Sequence, residues 1–420
     1  MMRVGVIGCG YWGPNLIRNL LENRKCSGVT VCDRDPASLA RVRHRFPNVA
    51  CVGSVDDLLR DDDVEAVLIA TPVTTHYALA RTCLRAGRHT FVEKPLAATS
   101  VEAEEMIRLA DRQGVTLMVG HTFEYSPPAM KIKEIIDSGS LGEIFYVSAI
   151  RVNLGIHQRD VSVVWDLAPH DLSMLFYWLG EVPAAVTMTG GAFVQPLISD
   201  VAFINLQFES GKIANIQASW LSPSKLRQTT IVGSHKMLIY DDTNAMERVK
   251  VFDRGVEFKD PQTFQEFTLT YRTGDIVSPA VSAAEPLQIE MDHFLECSRS
   301  GARPRTDGAS GLRVVRVLEA IERSGRNGNR LERIDWGREA SYVPVAVGVA
   351  AAASAANGGA NGSSTIGRGA NGSGTNGSSA NGSGANGSNA NGSGDGGRKR
   401  PAGLPALVDG PYLASPGTDS

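Results

Sequence analysis

Apolar residues recur along this chain with two different spacings, and the pattern changes near residue 122. Before that point short apolar runs alternate with segments whose apolar positions return every three or four residues. Arg3-Val4-Gly5-Val6-Ile7 stops at Gly8-Cys9-Gly10-Tyr11-Trp12-Gly13, after which Leu16, Ile17, Leu20 and Leu21 keep helical spacing. The pattern predicts strand, glycine turn, helix. A second strand over 28–32 is followed by Asp35-Pro36, an N-cap with proline at the first helical position, and a helix to about Phe46. A weak strand over 50–52 precedes Ser54, which caps a helix carrying Leu58 and Leu59. Residues 66–70 are continuously apolar, as a strand buried on both faces of a parallel sheet requires, and end at Thr71-Pro72. A helix over about 75–86 meets Gly87 as its stop, and a strand over 90–92 runs into Glu93-Lys94-Pro95. Thr99 and Glu102 have capping-box spacing, and residues 116–119 make a sixth strand. Strands joined by crossover helices predict an α/β domain over 1–122, built on a doubly wound parallel sheet.

From residue 123 the strands follow one another directly. Pro127-Pro128 opens a helix ending near Ser138-Gly139, residues 144–152 form a long strand, and Leu172, Leu175, Phe176 and Leu179 mark a helix running to Gly180. Strands are expected at about 184–189, 201–208, 212–220, 227–232, 237–241 and 248–252, with a hairpin turn at Phe208-Glu209-Ser210-Gly211-Lys212. Helices over about 286–299 and 308–324 close an α+β domain spanning 123–343 with an open, mainly antiparallel sheet. So few helices leave one sheet face bare and apolar, a physical motive for a homodimer or homotetramer. From 344 to 420 the chain is rich in Gly, Asn, Ser and Ala, with Asn-Gly at 371, 376, 381, 386 and 391. No large apolar residue recurs there to build a core, so a disordered tail is expected.

Composition narrows the partners. A formal net charge of -3 on 420 residues gives no reason to expect nucleic acid or an anionic membrane. The six cysteines, at 9, 26, 32, 51, 83 and 297, have no metal-ligand spacing, so no metal site is expected. No signal-peptide or membrane-span pattern occurs, and a cytoplasmic protein is predicted.

Three features carry candidate chemistry. In the Gly8, Gly10, Gly13 turn the first glycine permits the bend, the second lets a pyrophosphate approach and the third lets helix and strand pack. Asp33 ends the next strand, 20 residues after Gly13. A carboxylate there accepts hydrogen bonds from ribose hydroxyls and repels a 2'-phosphate, which favours NAD, while Arg34 makes NADP possible. Glu93-Lys94 lies at a strand's carboxyl end, where a lysine can polarise a substrate oxygen; a surface pair is the alternative. Asp166 and His170 are four apart, so on a helix they share a face. Pro169 fits if the helix starts near Asp166, because proline is tolerated in a first turn. Either the pair is catalytic, or Asp166 caps the helix and His170 lies on a solvated face.

Together Gly8-x-Gly10-x-x-Gly13, Thr71-Pro72 followed by His76, Ala86-Gly87-x-His89, Glu93-Lys94-Pro95 and an Asp-x-x-x-His pair 72 residues after Lys94 resemble the Gfo/Idh/MocA oxidoreductases. The resemblance covers residues 3 to about 335. It implies a Rossmann domain joined to an α/β domain whose open sheet packs against its partner's in dimers or tetramers, with Lys94-Pro95 often cis. Lys94, Asp166 and His170 match the family's catalytic positions. Expected cofactor contacts are Gly8, Gly10, Tyr11, Trp12, Gly13, Asp33, Arg34, Thr71, Pro72, His76, Glu93 and Lys94. Trp165, Lys94, Asp166 and His170 are expected near the substrate; Tyr125, Arg151, Asn153 and His157 are substrate-contact candidates by location alone, with an ordinary structural role as the alternative for each. Asn153-Leu154-Gly155 and the stretch around Trp165 look most like the branch acting on nucleotide-linked amino sugars, such as UDP-N-acetylglucosamine 3-dehydrogenases. Rival expectations are a 3-ketoreductase of deoxysugar or secondary-metabolite biosynthesis, an inositol or hexose dehydrogenase, and a dinucleotide-binding sensor without chemistry.

Overall fold

The computed structural model describes residues 1–155, 157–158, 161–258 and 269–337. The predicted tail over 344–420 lies outside them. The first sheet contains β1 (Met2–Ile7), β2 (Cys26–Cys32), β3 (Ala50–Val52), β4 (Val64–Ile69), β5 (His89–Glu93) and β6 (Leu117–Gly120). All pairings are parallel, in the order β3-β2-β1-β4-β5-β6. The order reverses between β1 and β4, and a crevice opens at such a switch beyond the strands' carboxyl ends.

The helices α1 (Gly13–Glu22), α2 (Pro36–Arg45), α3 (Val55–Leu59), α4 (Val73–Arg85) and α5 (Ser100–Gln113) fill the crossovers. Their starts are set locally. Asp35 accepts from the Ala37 and Ser38 N–H groups, Ser54 from Asp57 and Thr99 from Glu102. Each such cap contributes about 1 kcal/mol. Val4, Val6, Val67 and Leu68 are fully buried, so the central strands are covered on both faces as their composition requires.

The second sheet has nine strands, ordered β14-β13-β12-β11-β7-β10-β9-β8-β15. They are β7 (Ile144–Val152), β8 (Pro183–Gly191), β9 (Val201–Phe208), β10 (Ile213–Ser219), β11 (Leu226–Gly233), β12 (Met237–Asp241), β13 (Val249–Phe258), β14 (Leu269–Val277) and β15 (Glu332–Arg333). Every pairing is antiparallel except β7 with β10. The sequence pattern does not reveal β14, whose Gly274 and Asp275 interrupt its apolar alternation. A 3-10 turn (Thr122–Tyr125) and α6 (Pro127–Asp137) lead from the first sheet to β7. The remaining helices are α7 (Val163–Leu179), α8 (Pro286–Ser300) and α9 (Gly308–Arg326).

Three expectations are corrected. Helix α8 covers the first sheet, not the second: Leu287, Met291, Phe294 and Leu295 pack with Val4, Phe91 and Met118. Helix α7 starts at Val163, so Pro169 falls inside it instead of in its first turn. An interior proline costs about 3 kcal/mol and leaves the Trp165 carbonyl without its helical donor. Burial of Val163, Val164, Trp165, Ala168 and Leu172 offsets that cost. Finally, the outer face of the second sheet is exposed but not simply apolar. Thr187, Asn205, Asn215, Ser148 and Thr230 stand in one cross-strand row, with Asn215 donating to Asn205 Oδ1 at 2.8 Å. Exposed Phe203, Ile213 and Tyr146 flank that row.

Candidate active site

At the carboxyl end of β1 the three glycines have distinct duties. Gly8 has φ +100° and a Cβ there would lie 2.7 Å from the Ala70 carbonyl oxygen. At Gly13 a Cβ would be 2.2 Å from the Gly8 oxygen, whereas at Gly10 it would meet nothing within 4 Å. Gly8 and Gly13 therefore close the turn, and Gly10 leaves open space over it. Helix α1 begins at this point without a side-chain cap, so its first N–H groups are not taken by one. Asp33 accepts from the Cys9 N–H at 2.7 Å and the Asp35 N–H at 2.9 Å, which fixes its carboxylate at the end of β2. Arg34 beside it is exposed, and Tyr11 is 92% exposed. These features fit a dinucleotide: room at Gly10, helix N–H groups for its phosphates and a fixed acceptor for its ribose.

Two loops further along the same edge are tied together by His76. Its ring nitrogens lie 2.8 Å from the Thr71 oxygen and 2.9 Å from the Pro95 oxygen. Burial holds its pKa below the usual value, and a neutral imidazole donates to only one of these carbonyls at a time. His76 is 1% exposed, so it braces the Thr71-Pro72 and Lys94-Pro95 loops from behind and is no cofactor contact. The Lys94-Pro95 peptide is cis. Glu93 is half-buried, and the desolvation of its carboxyl pushes it up to about 7. The buried Trp12 indole N–H faces that carboxyl and favours its ionised form against the burial.

Lys94 leaves the end of β5 and reaches α7. Its Nζ donates to the Asp166 carbonyl oxygen at 2.8 Å and lies 3.3 Å from Asp166 Oδ1. The other carboxylate oxygen, Oδ2, accepts the Trp220 indole N–H at 3.1 Å. Asp166 is thereby held between the two sheets. An ammonium has three donors, so Lys94 keeps one for another oxygen.

His170 lies one turn beyond Asp166 and packs edge-on against Phe123, ring centroids 4.8 Å apart. Its Nδ1 is buried without a partner. Burial, then the charges of Lys94 and Arg151, hold its pKa well below the ordinary histidine value, so the ring is neutral at neutral pH. Neutral imidazole is the form that accepts a proton. No hydrogen bond joins His170 to Lys94 or Asp166 among the described residues.

Several expected substrate contacts lie elsewhere. Tyr125 is 1% exposed and its hydroxyl is 3.1 Å from Thr306 Oγ1, beneath Arg305; it belongs to the core. Trp165 is buried among α7 packing residues. Arg151 donates Nε and Nη2 to Asp171 at 2.7 and 2.9 Å, both buried, so it is committed to the scaffold. Asn153 and His157 do fall near the site, after β7: His157 packs at 5.3 Å from the Trp220 ring, and Asn153 donates its N–H to the Ser219 oxygen. Sequence reasoning missed Trp220 and His121. His121 has both ring nitrogens buried and unpartnered, and burial drives its pKa down to about 3. It follows β6 as Lys94 follows β5, because Glu93 pairs with Gly120. Among the described residues no group of three or more His, Cys, Asp or Glu is placed to hold a metal ion. No described helix is long and apolar enough to cross a membrane.

Open space at Gly10, a fixed acceptor at Asp33 and a lysine at the end of β5 together fit a nicotinamide-dependent oxidoreductase. The chain belongs to the GFO_IDH_MocA oxidoreductase family: the family's NAD-binding Rossmann fold matches residues 2–121 and its C-terminal alpha/beta domain residues 133–332. It is an NAD(P)-dependent oxidoreductase. Among relatives, it is 36% identical over 149 residues to the 1-carboxy-3-chloro-3,4-dihydroxycyclo hexa-1,5-diene dehydrogenase of Comamonas testosteroni, a match covering 36% of this chain and 38% of that one. With the D-apiose dehydrogenase of Rhizobium rhizogenes it shares 25% identity over 79% of this chain and 97% of the relative. With the UDP-N-acetylglucosamine 3-dehydrogenase of Acidithiobacillus ferrooxidans it shares 29% over 75% and 94%. The solved structure of that last enzyme superposes with TM-score 0.65 at 25% identity, covering 78% of this chain and 99% of that one.

Proposed function

We propose that this enzyme moves a hydride between a sugar ring carbon and NAD, on a nucleotide-linked amino sugar such as UDP-N-acetylglucosamine at C3. The observation that carries the reading is the bridge from Lys94 to Asp166, with His170 one turn further along the same helix. Gly10, the start of α1, Asp33 and Glu93 would hold the dinucleotide, which supplies the hydride acceptor when bound. His170, held neutral by burial and the neighbouring cations, takes the proton from the substrate hydroxyl. Such general-base catalysis contributes roughly 10²- to 10⁴-fold. The remaining Lys94 donor stabilises the alkoxide that develops on the same oxygen. Asp166 keeps the ammonium in place, and ketone reduction runs through the same groups with His170 as acid.

The likeness to an enzyme named for UDP-N-acetylglucosamine over nearly its whole length supports the nucleotide-sugar substrate, and the likeness to one named for D-apiose supports the wider class of sugars. Asp33, with no basic partner on its carboxylate among the described residues, supports NAD over NADP. Six unpaired cysteines fit a reducing cytoplasm. The exposed outer face of the nine-stranded sheet is the surface for a dimer or tetramer, which sedimentation would reveal.

A panel of UDP-sugars, inositols and hexoses, each with NAD and with NADP, tests the reading by NADH fluorescence. The expected result is NAD reduction with a UDP-amino sugar. An enzyme that binds NADH but reduces NAD with no member of the panel contradicts it.

A further inference from the structure

One cation beside His170 has no part in the chemistry above. Arg227, near the start of β11, pairs directly with Arg151 of β7 in the antiparallel register, so the two side chains leave the sheet on the same face. Both guanidinium carbons lie over the Phe123 ring, at 4.7 Å for Arg151 and 5.9 Å for Arg227. The same ring meets His170. Arg227 therefore stands on the wall of the site, one aromatic ring from the proposed base.

The two arginines use their charge differently. Arg151 turns its Nε and Nη2 edge onto Asp171 and is buried with it. Arg227 keeps 34% of its side chain exposed and offers only Nη1 to Asp242, at 3.4 Å. That carboxylate already accepts the Tyr240 hydroxyl at 3.0 Å. The Nε and Nη2 edge of Arg227 donates to nothing among the described residues. A guanidinium held by one nitrogen, with its other edge unoccupied and solvent in reach, suits a carboxylate or phosphate received through two parallel hydrogen bonds.

We infer that Arg227 is the residue that selects an anionic substrate, binding a carboxylate or phosphate group on the part of the sugar derivative remote from the carbon that exchanges hydride. This rests on the sugar reading above and narrows it: neutral sugars and inositols bind without the contact. The connection between β10 and β11 then serves the site at both ends, since Trp220 fixes Asp166 and Arg227 receives the anion.

The test is calorimetric binding to the full-length enzyme loaded with NADH, using UDP-glucuronate, UDP-glucose, glucuronate and myo-inositol as probes. Wild type should bind at least one anionic probe tighter than myo-inositol. Arg227→Gln should weaken that probe by roughly 10- to 100-fold and myo-inositol by less than about twofold, with Arg227→Lys between. Loss confined to the two UDP-sugars identifies phosphate; loss confined to the two glucuronates identifies carboxylate. The inference is overturned if Arg227→Gln changes every anionic probe by less than about twofold, if myo-inositol weakens equally, or if wild type prefers no anionic probe. NADH affinity reports whether the variant folds. Should Arg227→Gln fail to bind NADH, Arg227→Lys decides: a loss of about threefold or more on the anionic probe alone supports the inference, and equal affinity overturns it. A wild type that reduces NAD with no sugar contradicts the proposed reaction, yet leaves these binding differences readable.

Discussion

Helix α7 carries two acidic residues five positions apart, and each holds a cation from another element. Asp166 meets Lys94 with side chains 25% and 19% exposed, whereas Asp171 meets Arg151 with 3% and 6% exposed. The Arg151 pair is sealed and bidentate, so every hydrogen bond on that edge of the fork is used within the chain. The Lys94 pair is open to the crevice and leaves one ammonium donor unused. Two ion pairs of similar chemistry thus do opposite work: one fixes α7 on the sheet, and the other presents a cation to whatever binds beyond β5. Burial and the number of unused donors separate them, not residue type.

The largest expected effect falls on the open pair. Lys94→Ala should lower kcat by roughly 10²- to 10⁴-fold while changing stability by no more than about 1 kcal/mol, since a partly exposed pair adds little to folding. Steady-state kinetics with urea unfolding reads both. The sealed pair should behave in reverse. Asp171→Asn leaves the Arg151 charge buried without its counter-ion and should cost about 3–5 kcal/mol in urea unfolding. If Asp171→Asn were neutral in stability, the contrast between the pairs would collapse.

Legibility in the sequence follows the same division. The glycine turn could be read because each glycine answers a local demand: Gly8 and Gly13 sit where a Cβ would strike backbone, and Gly10 where space is needed. Lys94 could be read because a strand ends at Glu93, and Asp166 with His170 because helical spacing puts them on one face. Trp220 could not. It reaches Asp166 from 54 residues away through sheet pairing that no local pattern records. His121 was within reach, since it follows β6 as Lys94 follows β5. Tyr125 was misplaced because its aromatic ring suits a core as well as a binding wall, and only the tertiary fold brings Thr306 to its hydroxyl. Pro169 misled the helix start because tertiary burial outweighed its local cost.

Smaller effects sharpen the contrast. His121 refuses a proton when buried, its pKa lying near 3 against an ordinary value of 6.5. The unfolded chain takes that proton below pH 6.5, so folding stability is lost as pH falls, by up to about 2 kcal/mol at pH 5. His121→Leu should flatten this part of the acid dependence of thermal unfolding, and an unchanged slope would place the loss in other buried histidines. Trp220→Phe removes the N–H from Asp166 Oδ2 while keeping most of the packing. It should lower kcat by roughly tenfold with little change in NADH affinity.

The proton-transfer assignment is tested most directly by the pH profile of kcat/KM for sugar oxidation in wild type and His170→Ala. His170 must be neutral to act, and burial with the neighbouring cations lowers its pKa, so the acid limb of the wild type should lie below pH 6.5. In His170→Ala the rate should fall by roughly 10²- to 10⁴-fold and that limb should disappear. A His170→Ala enzyme that keeps both the wild-type rate and the acid limb would contradict the account.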